Sequence, residues 1–282
     1  MKNGLVLEGG GLRGAYTAGV CAWFVRYGIK FDVHVGISSG AMFAIAKALE
    51  DESILHGAAV ENSVQKRNVG LLPMLLEGRP VGYNYLFDTV LPKKLKLNAE
   101  RIRSIPSLVE YGIYDLKNQE TFWLNQSQID DDMLLFKAAC TLPIAGRDVR
   151  YKGNLYMDGG VNTMIPIARC QTHNVDKMII VVTKPANFIR KDNSWLTQTT
   201  LDIMYRKYPK LLKEFRVRKD VYNREMALAK EMDAKGEAIL IQPSQDFGAK
   251  RFKATQEQVQ GMYNLGLEDC ERQKERILAY LK

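Results

Sequence analysis

The stretch "GLVLEGGGLRGAYTAG", residues 4–19, joins an apolar segment to a glycine loop and then to a helical pattern. Residues 4–8 predict a strand, and apolar residues at helical spacing predict a helix over 12–27 that Gly28 ends. The loop G-G-G-L-R-G satisfies G-x-G-x-x-G, which is typical of dinucleotide-binding loops between a strand and a helix. The loop alone leaves open whether it binds a nucleotide pyrophosphate or stabilises another anion.

The order of the predicted elements indicates an α/β protein. A second strand at residues 31–35 and an alanine-rich helix at 41–49 give a β-α-β-α start, which favours a parallel sheet covered by helices. Further strands are predicted at 108–116, 121–124, 149–157, 177–183 and 238–242. Further helices are predicted at 130–139, at 196–234 with an interruption at Pro209, and at 255–281, where Thr255 and Gln258 form a capping box.

We expect one domain over residues 1–282, because no linker, repeat or low-complexity tract divides the chain. Its motifs occupy about residues 4–168, and its C-terminal helical part spans about 196–282. Residues 66–98 mix Leu, Met and aromatics with Gly and Pro. They predict either short helices packed in the core or an apolar wall or lid over a binding cleft.

Composition argues against several classes of protein. No apolar run approaches the ~20 residues of a membrane-spanning helix, and residues 1–20 do not resemble a signal peptide, so a cytoplasmic location is expected. There is no nucleic-acid-binding motif, so no nucleic-acid partner is expected. The four cysteines and three histidines have no metal-ligand spacing, so neither metal nor cofactor is expected. The oligomeric state is left open.

The net charge of +8 is concentrated in residues 184–220, which hold ten Lys or Arg against four Asp or Glu. Apolar residues interleave with these charges: Phe188, Ile189, Trp195, Tyr205, Tyr208, Leu211, Leu212 and Phe215. The segment predicts either peripheral contact with an anionic membrane or helices whose apolar residues face the core.

A second glycine motif follows the second predicted strand. "VGISSGA", residues 35–41, fits G-x-S-x-G with Ser38 at its centre, between a strand and a helix. That context is the one a nucleophile elbow requires, because a strained turn exposes the serine hydroxyl beside a helix N-terminus. Gly36 and Gly40 keep the flanks of the turn small.

The two motifs together favour acyl chemistry over nucleotide binding. A dinucleotide site needs an acidic residue at the far end of the second strand, whereas Asp32 lies at its start. Adjacent parallel strands would bring both loops to the same sheet edge. The amides of Gly10, Gly11 and Leu12 would then face an oxyanion beside Ser38, each contributing about 3 kcal/mol to transition-state stabilisation.

Asp158 is the preferred candidate for the base. It ends a predicted strand and is followed by Gly159 and Gly160, which permit close backbone approach. His173 precedes the strand at 177–183, so it belongs at the amino edge, away from the edge where catalytic groups gather. An ordinary Asp has a pKa near ~3.9, so partial burial would have to raise the pKa of Asp158 for it to act as a base.

These residues resemble the three motifs of the patatin-like phospholipases, in order: residues 9–14, residues 36–40 and residues 158–160. The segment "AACTLPIAG", residues 138–146, is also similar to the family's stretch upstream of its aspartate. The resemblance covers about residues 4–168. Glu8 stands where the family often has Asp, and we expect little consequence from that difference.

The resemblance implies a three-layer α/β/α fold with a mostly parallel central sheet and metal-independent hydrolysis of lipid acyl esters. It implies that Ser38 is the nucleophile and Asp158 the base of a dyad acting through an acyl-enzyme. It also implies that the oxyanion hole is formed by Gly9, Gly10, Gly11, Leu12, Arg13 and Gly14. Arg13 is open to two interpretations, either holding this loop or a head group, or simply facing solvent.

Three other functions stay open from the sequence. An acyltransferase would use the same dyad with an alcohol as acceptor. An oxidoreductase would use the first glycine loop for a nucleotide, and a lipid-binding module would have no activity. We also expect Gly11→Ala to lower kcat strongly with little change in melting temperature.

We predict that Ser38→Ala and Asp158→Asn each lower kcat for a p-nitrophenyl ester by more than ~10³-fold, because each removes a group of the dyad. His173→Ala should retain most of the activity. Steady-state kinetics on the three purified variants, with circular dichroism to verify folding, makes the comparison. Equal losses for His173→Ala and Ser38→Ala would show that a triad operates instead.

Overall fold

The structure is a computed structural model that describes residues 1–282, and its centre is one eight-stranded mixed sheet. The strands are β1 (Asn3–Leu7), β2 (Val33–Gly36), β3 (Leu108–Asp115), β4 (Glu120–Asn125), β5 (Val149–Tyr151), β6 (Asn154–Asp158), β7 (Lys177–Val181) and β8 (Ile239–Ile241). The pairs β1–β2, β2–β3, β1–β7 and β7–β8 are parallel, whereas β4 and β6 run antiparallel to β3, and β5 runs antiparallel to β6.

Thirteen α-helical segments surround the sheet. They are α1 (Gly14–Arg26), α2 (Ser39–Ala48), α3 (Glu52–His56), α4 (Leu71–Glu77), α5 (Tyr83–Tyr85), α6 (Ala99–Arg103), α7 (Leu134–Cys140), α8 (Ile167–Gln171), α9 (Trp195–Met204), α10 (Pro209–Arg216), α11 (Arg218–Ala234), α12 (Gln256–Arg272) and α13 (Lys274–Leu281). π-helical turns follow α3 and α5. No helix combines the length and the apolar composition needed to cross a bilayer.

Successive side chains of the central strands point to opposite faces of the sheet, and helices cover both faces, which gives three layers. Leu5 and Leu7 of β1 belong to a core with α1, α2, α7 and α12, whereas Val6 faces a second core with α8 and α11. The same alternation in β7 sends Ile179 to the first core and Ile180 to the second. Because successive strand residues point to opposite faces, a strand that is apolar throughout needs helices on both sides. The predicted α/β/α fold with a mostly parallel sheet is confirmed.

The C-terminal part of the chain is packed directly on its beginning. A Cβ on Gly19 of α1 would lie 2.0 Å from the carbonyl oxygen of Tyr263 in α12, so the two helix backbones touch there. β8 joins the same sheet as β1 by pairing with β7. The single-domain organisation stays a prediction, and these contacts support it.

Several predicted boundaries were wrong for identifiable reasons. The helix predicted at 130–139 begins at Leu134, because the carboxylate of Asp130 accepts hydrogen bonds from the amides of Leu134 (2.7 Å) and Leu135 (2.8 Å) and so precedes the helix. Residues 196–234 form three helices rather than two, with a second break at Val217. The terminal helix breaks at Gln273, although its capping box of Thr255 and Gln258 is confirmed.

Candidate active site

Ser38 lies in the sharp turn between β2 and α2, with a backbone φ of 57° and ψ of −127°. Such a conformation costs a non-glycine residue about 1–3 kcal/mol and persists only when its surroundings hold it. The surroundings here are close-packed backbone. A Cβ on Gly36 would lie 2.4 Å from the carbonyl oxygen of Gly40, and a Cβ on Gly40 would lie 2.4 Å from that of Leu7. The two motif glycines are therefore required by the turn.

The register of β3 explains how Asp158 reaches this turn. β4 occupies one edge of β3, and β2 and β6 share the other edge, since Val35 and Asn125 flank Glu110. β2 ends where Gly36 pairs with Tyr111, and β6 runs the opposite way and ends where Asp158 pairs with Ile113. The two strand ends therefore meet head to head, with two steps of β3 between them. Asp158 reaches the carboxyl end of β2 on an antiparallel strand.

The carboxylate of Asp158 is fully buried. Its Oδ1 accepts a hydrogen bond of 2.7 Å from the amide of Gly160, while Oδ2 has no hydrogen bond of ordinary geometry. Burial raises the pKa of Asp158 to about 6, against the opposing effect of the nearby Ser38 hydroxyl and the Gly160 amide. The group is therefore a stronger base than an ordinary aspartate while it remains mostly ionised at pH 7.

Most amides of the first glycine loop already have protein acceptors. The amide of Gly9 donates to the carbonyl of Met164 (3.2 Å), and that of Leu12 donates to the carbonyl of Arg251 (3.0 Å). The amide of Gly10 donates to Oγ of Ser39 (3.0 Å). The amides of Gly11 and Ser39 have no protein acceptor. Gly14 begins α1, and Arg13 precedes it with a buried Nε that has no hydrogen bond.

An apolar groove opens beside Ser38. It encloses about 100 Å³, and its walls include Met42, Phe43 and Phe252. Residues of the 66–98 segment contribute another wall through Val69, Val81, Tyr83 and Leu86. Thus part of that segment does line a cleft, as one of its two interpretations predicted.

None of the three histidines lines the cavities that contain Ser38. His173 Nε2 lies 2.7 Å from Glu110 Oε2, and its carbonyl accepts a hydrogen bond from Lys2, near the start of β1. His34 is buried within β2, where burial lowers its pKa to about 3. His56 contacts Glu61 on the surface. The structure therefore brings no histidine to the serine.

The family model of the patatin-like phospholipases matches residues 5–170. The chain belongs to the patatin-like phospholipase family. A second model, a domain of unknown function named DUF6363, matches residues 208–282 of this patatin-like chain.

Two known proteins are also similar to the chain, with sequence identities of 23% and 13%. The uncharacterized protein YjjU of Escherichia coli K12 is 23% identical over 208 residues, which is 70% of this chain and 58% of YjjU. The crystal structure of VipD from Legionella pneumophila aligns with a TM-score of 0.48 and 13% identity, covering 96% of this chain and 66% of VipD. The chain thus spans less than two thirds of the length of either protein.

Sequence reasoning missed a layer of charged residues behind the patatin motifs. The carboxylate of Glu8 is fully buried, pairs with the buried ammonium of Lys184, and accepts a hydrogen bond of 2.6 Å from the amide of Thr183. Glu8 therefore joins the ends of β1 and β7 beneath the glycine loop. That Glu in place of Asp has little consequence here stays a prediction. An acidic residue at the end of an apolar strand was the one signal in the sequence that pointed to a partner.

The expectation that Gly11→Ala leaves the melting temperature unchanged was wrong. Gly11 has a φ of +60°, and a Cβ there would lie 2.5 Å from the carbonyl oxygen of Arg251. Because that carbonyl holds the amide of Leu12, the substitution would disturb both the loop and the segment covering it. Gly11→Ala should therefore lower stability as well as kcat.

We predict that kcat/KM for a neutral ester rises with pH and reaches half its maximum near pH 6. The raised pKa of Asp158 means that its carboxylate, the form able to accept a proton, is lost as pH falls through about 6. A pH series with p-nitrophenyl butyrate measures this, with circular dichroism at each pH to verify folding. A midpoint near ~4, the value for an ordinary aspartate, would contradict the role of burial.

Proposed function

We propose that this protein hydrolyses acyl esters of lipids, with Ser38 as nucleophile and Asp158 as general base. The observation that carries the proposal is the head-to-head meeting of β2 and β6, with a strained serine opposite a buried carboxylate at one wall of an apolar groove. Family membership supports the same class of reaction.

In the proposed reaction, Oγ of Ser38 attacks the ester carbonyl and its proton passes to Asp158. The tetrahedral intermediate then collapses, the alcohol leaves with the proton from Asp158, and the acyl group stays on Ser38. Water next attacks the acyl-enzyme while Asp158 accepts its proton. The fatty acid departs as that proton returns to Oγ.

The amides of Gly11 and Ser39 are the proposed oxyanion donors. Both lie beside Ser38 and have no protein acceptor, whereas the amides of Gly9, Gly10 and Leu12 are already hydrogen-bonded. Ser39 begins α2, so the positive end of that helix adds to the stabilisation of a developing negative charge. Each such donor contributes about 3–4 kcal/mol in enzymes of this type of chemistry.

The dinucleotide interpretation of the first loop loses its physical basis. The amides of Gly9, Gly10 and Leu12 donate within the protein, as does that of Gly14, so few are left for a pyrophosphate. Asp32 accepts a hydrogen bond of 2.7 Å from the amide of Asn3, at the opposite end of β1 from the loop. Asp32 therefore lies at the wrong end of the sheet to bind a ribose beside the loop.

A fluorophosphonate probe tests the proposed function directly. We expect covalent labelling of the wild-type protein at Ser38, no labelling of Ser38→Ala, and hydrolysis of p-nitrophenyl esters by the wild type alone. Peptide mapping by mass spectrometry locates the label. Absent labelling and absent hydrolysis in folded protein would refute a serine hydrolase, and transfer of the acyl group to an added alcohol in preference to water would assign an acyltransferase.

We propose that α4 is the part of the surface that meets a lipid interface. Leu71 is 83% exposed and Leu75 is 82% exposed, and the chain on either side of α4 is joined by a bridge between Val69 and Val81, which both line the groove. α4 therefore lies at the rim of the groove. Exposed Lys66 and Arg67 precede it and suit an anionic surface.

The basic segment at 184–220 is less suited to that role than the sequence indicated. Tyr205, Leu211, Leu212 and Phe215 are buried in a core with β3 and β6, which is the alternative that the sequence left open. Exposed apolar residues remain at Ile189, Trp195, Leu196 and Ile203. Membrane contact by this segment stays a prediction.

Co-sedimentation with vesicles of phosphatidylglycerol and phosphatidylcholine compares the two surfaces. Leu71→Ser with Leu75→Ser should lower binding at least several-fold, since each removes exposed apolar area from the interface. Leu196→Ser with Ile203→Ser is the matched control, and replacement of Lys207, Lys210, Lys213 and Arg216 by Gln tests the basic segment. A larger loss in either of these than in the α4 variant would move the membrane contact to residues 184–220.

A further inference from the structure

Several cationic side chains gather next to the proposed dyad. Arg218 and Arg251 line a narrow cavity of about 10 Å³ together with Ser38 and Asp158. The same two arginines and Arg190 line an adjoining cavity of about 260 Å³. Three guanidinium groups from distant parts of the chain thus line two adjoining cavities, the smaller of which contains Ser38.

These arginines have no carboxylate partner. The side chains of Arg190 and Arg251 make no hydrogen bond or ion pair, and Arg218, which is 5% exposed, donates only its Nε to the carbonyl of Gly160 (2.7 Å). Arg218 is buried and Arg190 and Arg251 are half-buried, and a buried charge without a partner is costly. The geometry therefore leaves two amino groups of Arg218 and two whole guanidinium groups available to an anion.

Asp158 is the acidic residue that lines the same small cavity as Arg218 and Arg251, so one carboxylate faces these guanidinium groups. The other two acidic residues nearby are engaged elsewhere. Glu8 pairs with Lys184, and Glu225 accepts hydrogen bonds from the amides of Met164 and Ile165. Burial raises the pKa of Glu225 to about 7, so it supplies only part of a negative charge at neutral pH. Burial and the neighbouring Arg190 lower the pKa of Arg251 to about 10, while the charges of Asp158 and Glu8 act in the opposite direction.

We propose that Arg190, Arg218 and Arg251 bind the phosphate group of an acidic glycerophospholipid whose ester carbonyl lies at Ser38. Guanidinium groups match phosphate oxygens in geometry and bind them through paired hydrogen bonds. Ser38 and Arg251 line both the apolar groove and the arginine-lined cavity. A lipid with its acyl chain in the groove would therefore direct its alcohol portion, and the phosphate on it, toward the arginines.

The proposal names the substrate class and rests on the proposed lipid hydrolysis. It favours lipids whose head group carries no positive charge, because a choline ammonium would face the same arginines. It also gives a role to the region beyond the patatin match. Arg190 lies outside residues 5–170, and Arg218 and Arg251 both lie within the 208–282 region of unknown function.

The test measures binding without turnover, in a Ser38→Ala background. Isothermal titration calorimetry compares lysophosphatidic acid with a monoacylglycerol of the same acyl chain, both as monomers. We expect Arg190→Gln and Arg251→Gln each to lower the preference for the phosphate-bearing lipid, expressed as the ratio of the two Kd values, at least tenfold. Arg224→Gln is the matched control, since Arg224 is exposed on the same helix as Arg218 and makes no hydrogen bond or ion pair.

Two results would overturn the proposal. One is an unchanged Kd ratio in both Arg190→Gln and Arg251→Gln. Arg190→Lys is a further control, because it retains the positive charge and so separates loss of charge from loss of fold. The other is binding of inorganic phosphate as tight as that of lysophosphatidic acid, which would make the site one for a free anion. Because no turnover is needed, absent ester hydrolysis by the wild type would count against the proposed function alone.

Discussion

The strained backbone of Ser38 is the constraint on which the rest of the site depends. Gly36 and Gly40 have no side chains, so the backbones at the ends of β1 and β2 and at the start of α2 approach one another closely, with Gly40 against the carbonyl of Leu7. This close packing holds Ser38 at its φ of 57°. The close approach of β1, β2 and α2 fixes the direction of the serine hydroxyl and brings the first glycine loop alongside it. The strain of the elbow is thus maintained by the central sheet, which is the most deeply buried part of the molecule.

Burial shifts the pKa values of the acidic and the basic groups at this site in opposite directions. For Asp158, removal from water raises the pKa and so strengthens the carboxylate as the proposed base. For Arg218 and Arg251, removal from water lowers the pKa, and neither guanidinium forms an ion pair with a carboxylate. Both effects come from the same enclosed position at the end of β2. An anionic substrate would supply the charge that the arginines lack, while its ester group lies next to the base.

The part of the chain beyond the patatin match packs against the patatin-like part. α12 lies against α1 with backbone contact at Gly19, and β8 joins the central sheet. The carbonyl of Arg251, in the loop between β8 and α12, holds the amide of Leu12 in the first glycine loop. The region of unknown function therefore helps to set the shape of the loop beside Ser38, in addition to lining the cavity next to it.

The sequence by itself determined the β-α-β-α start, the covered parallel sheet and the three motifs, because glycine spacing and strand periodicity are local properties that chain neighbours impose. Ser38 and Asp158 were identifiable for that reason. Only the tertiary structure decided which loop amides are free, since the acceptors for Gly9 and Leu12 come from Met164 and Arg251, far along the chain. It likewise decided the meeting of β2 with β6 and the grouping of Arg190, Arg218 and Arg251. Such contacts depend on strand register and helix packing between distant segments, and no local pattern encodes them.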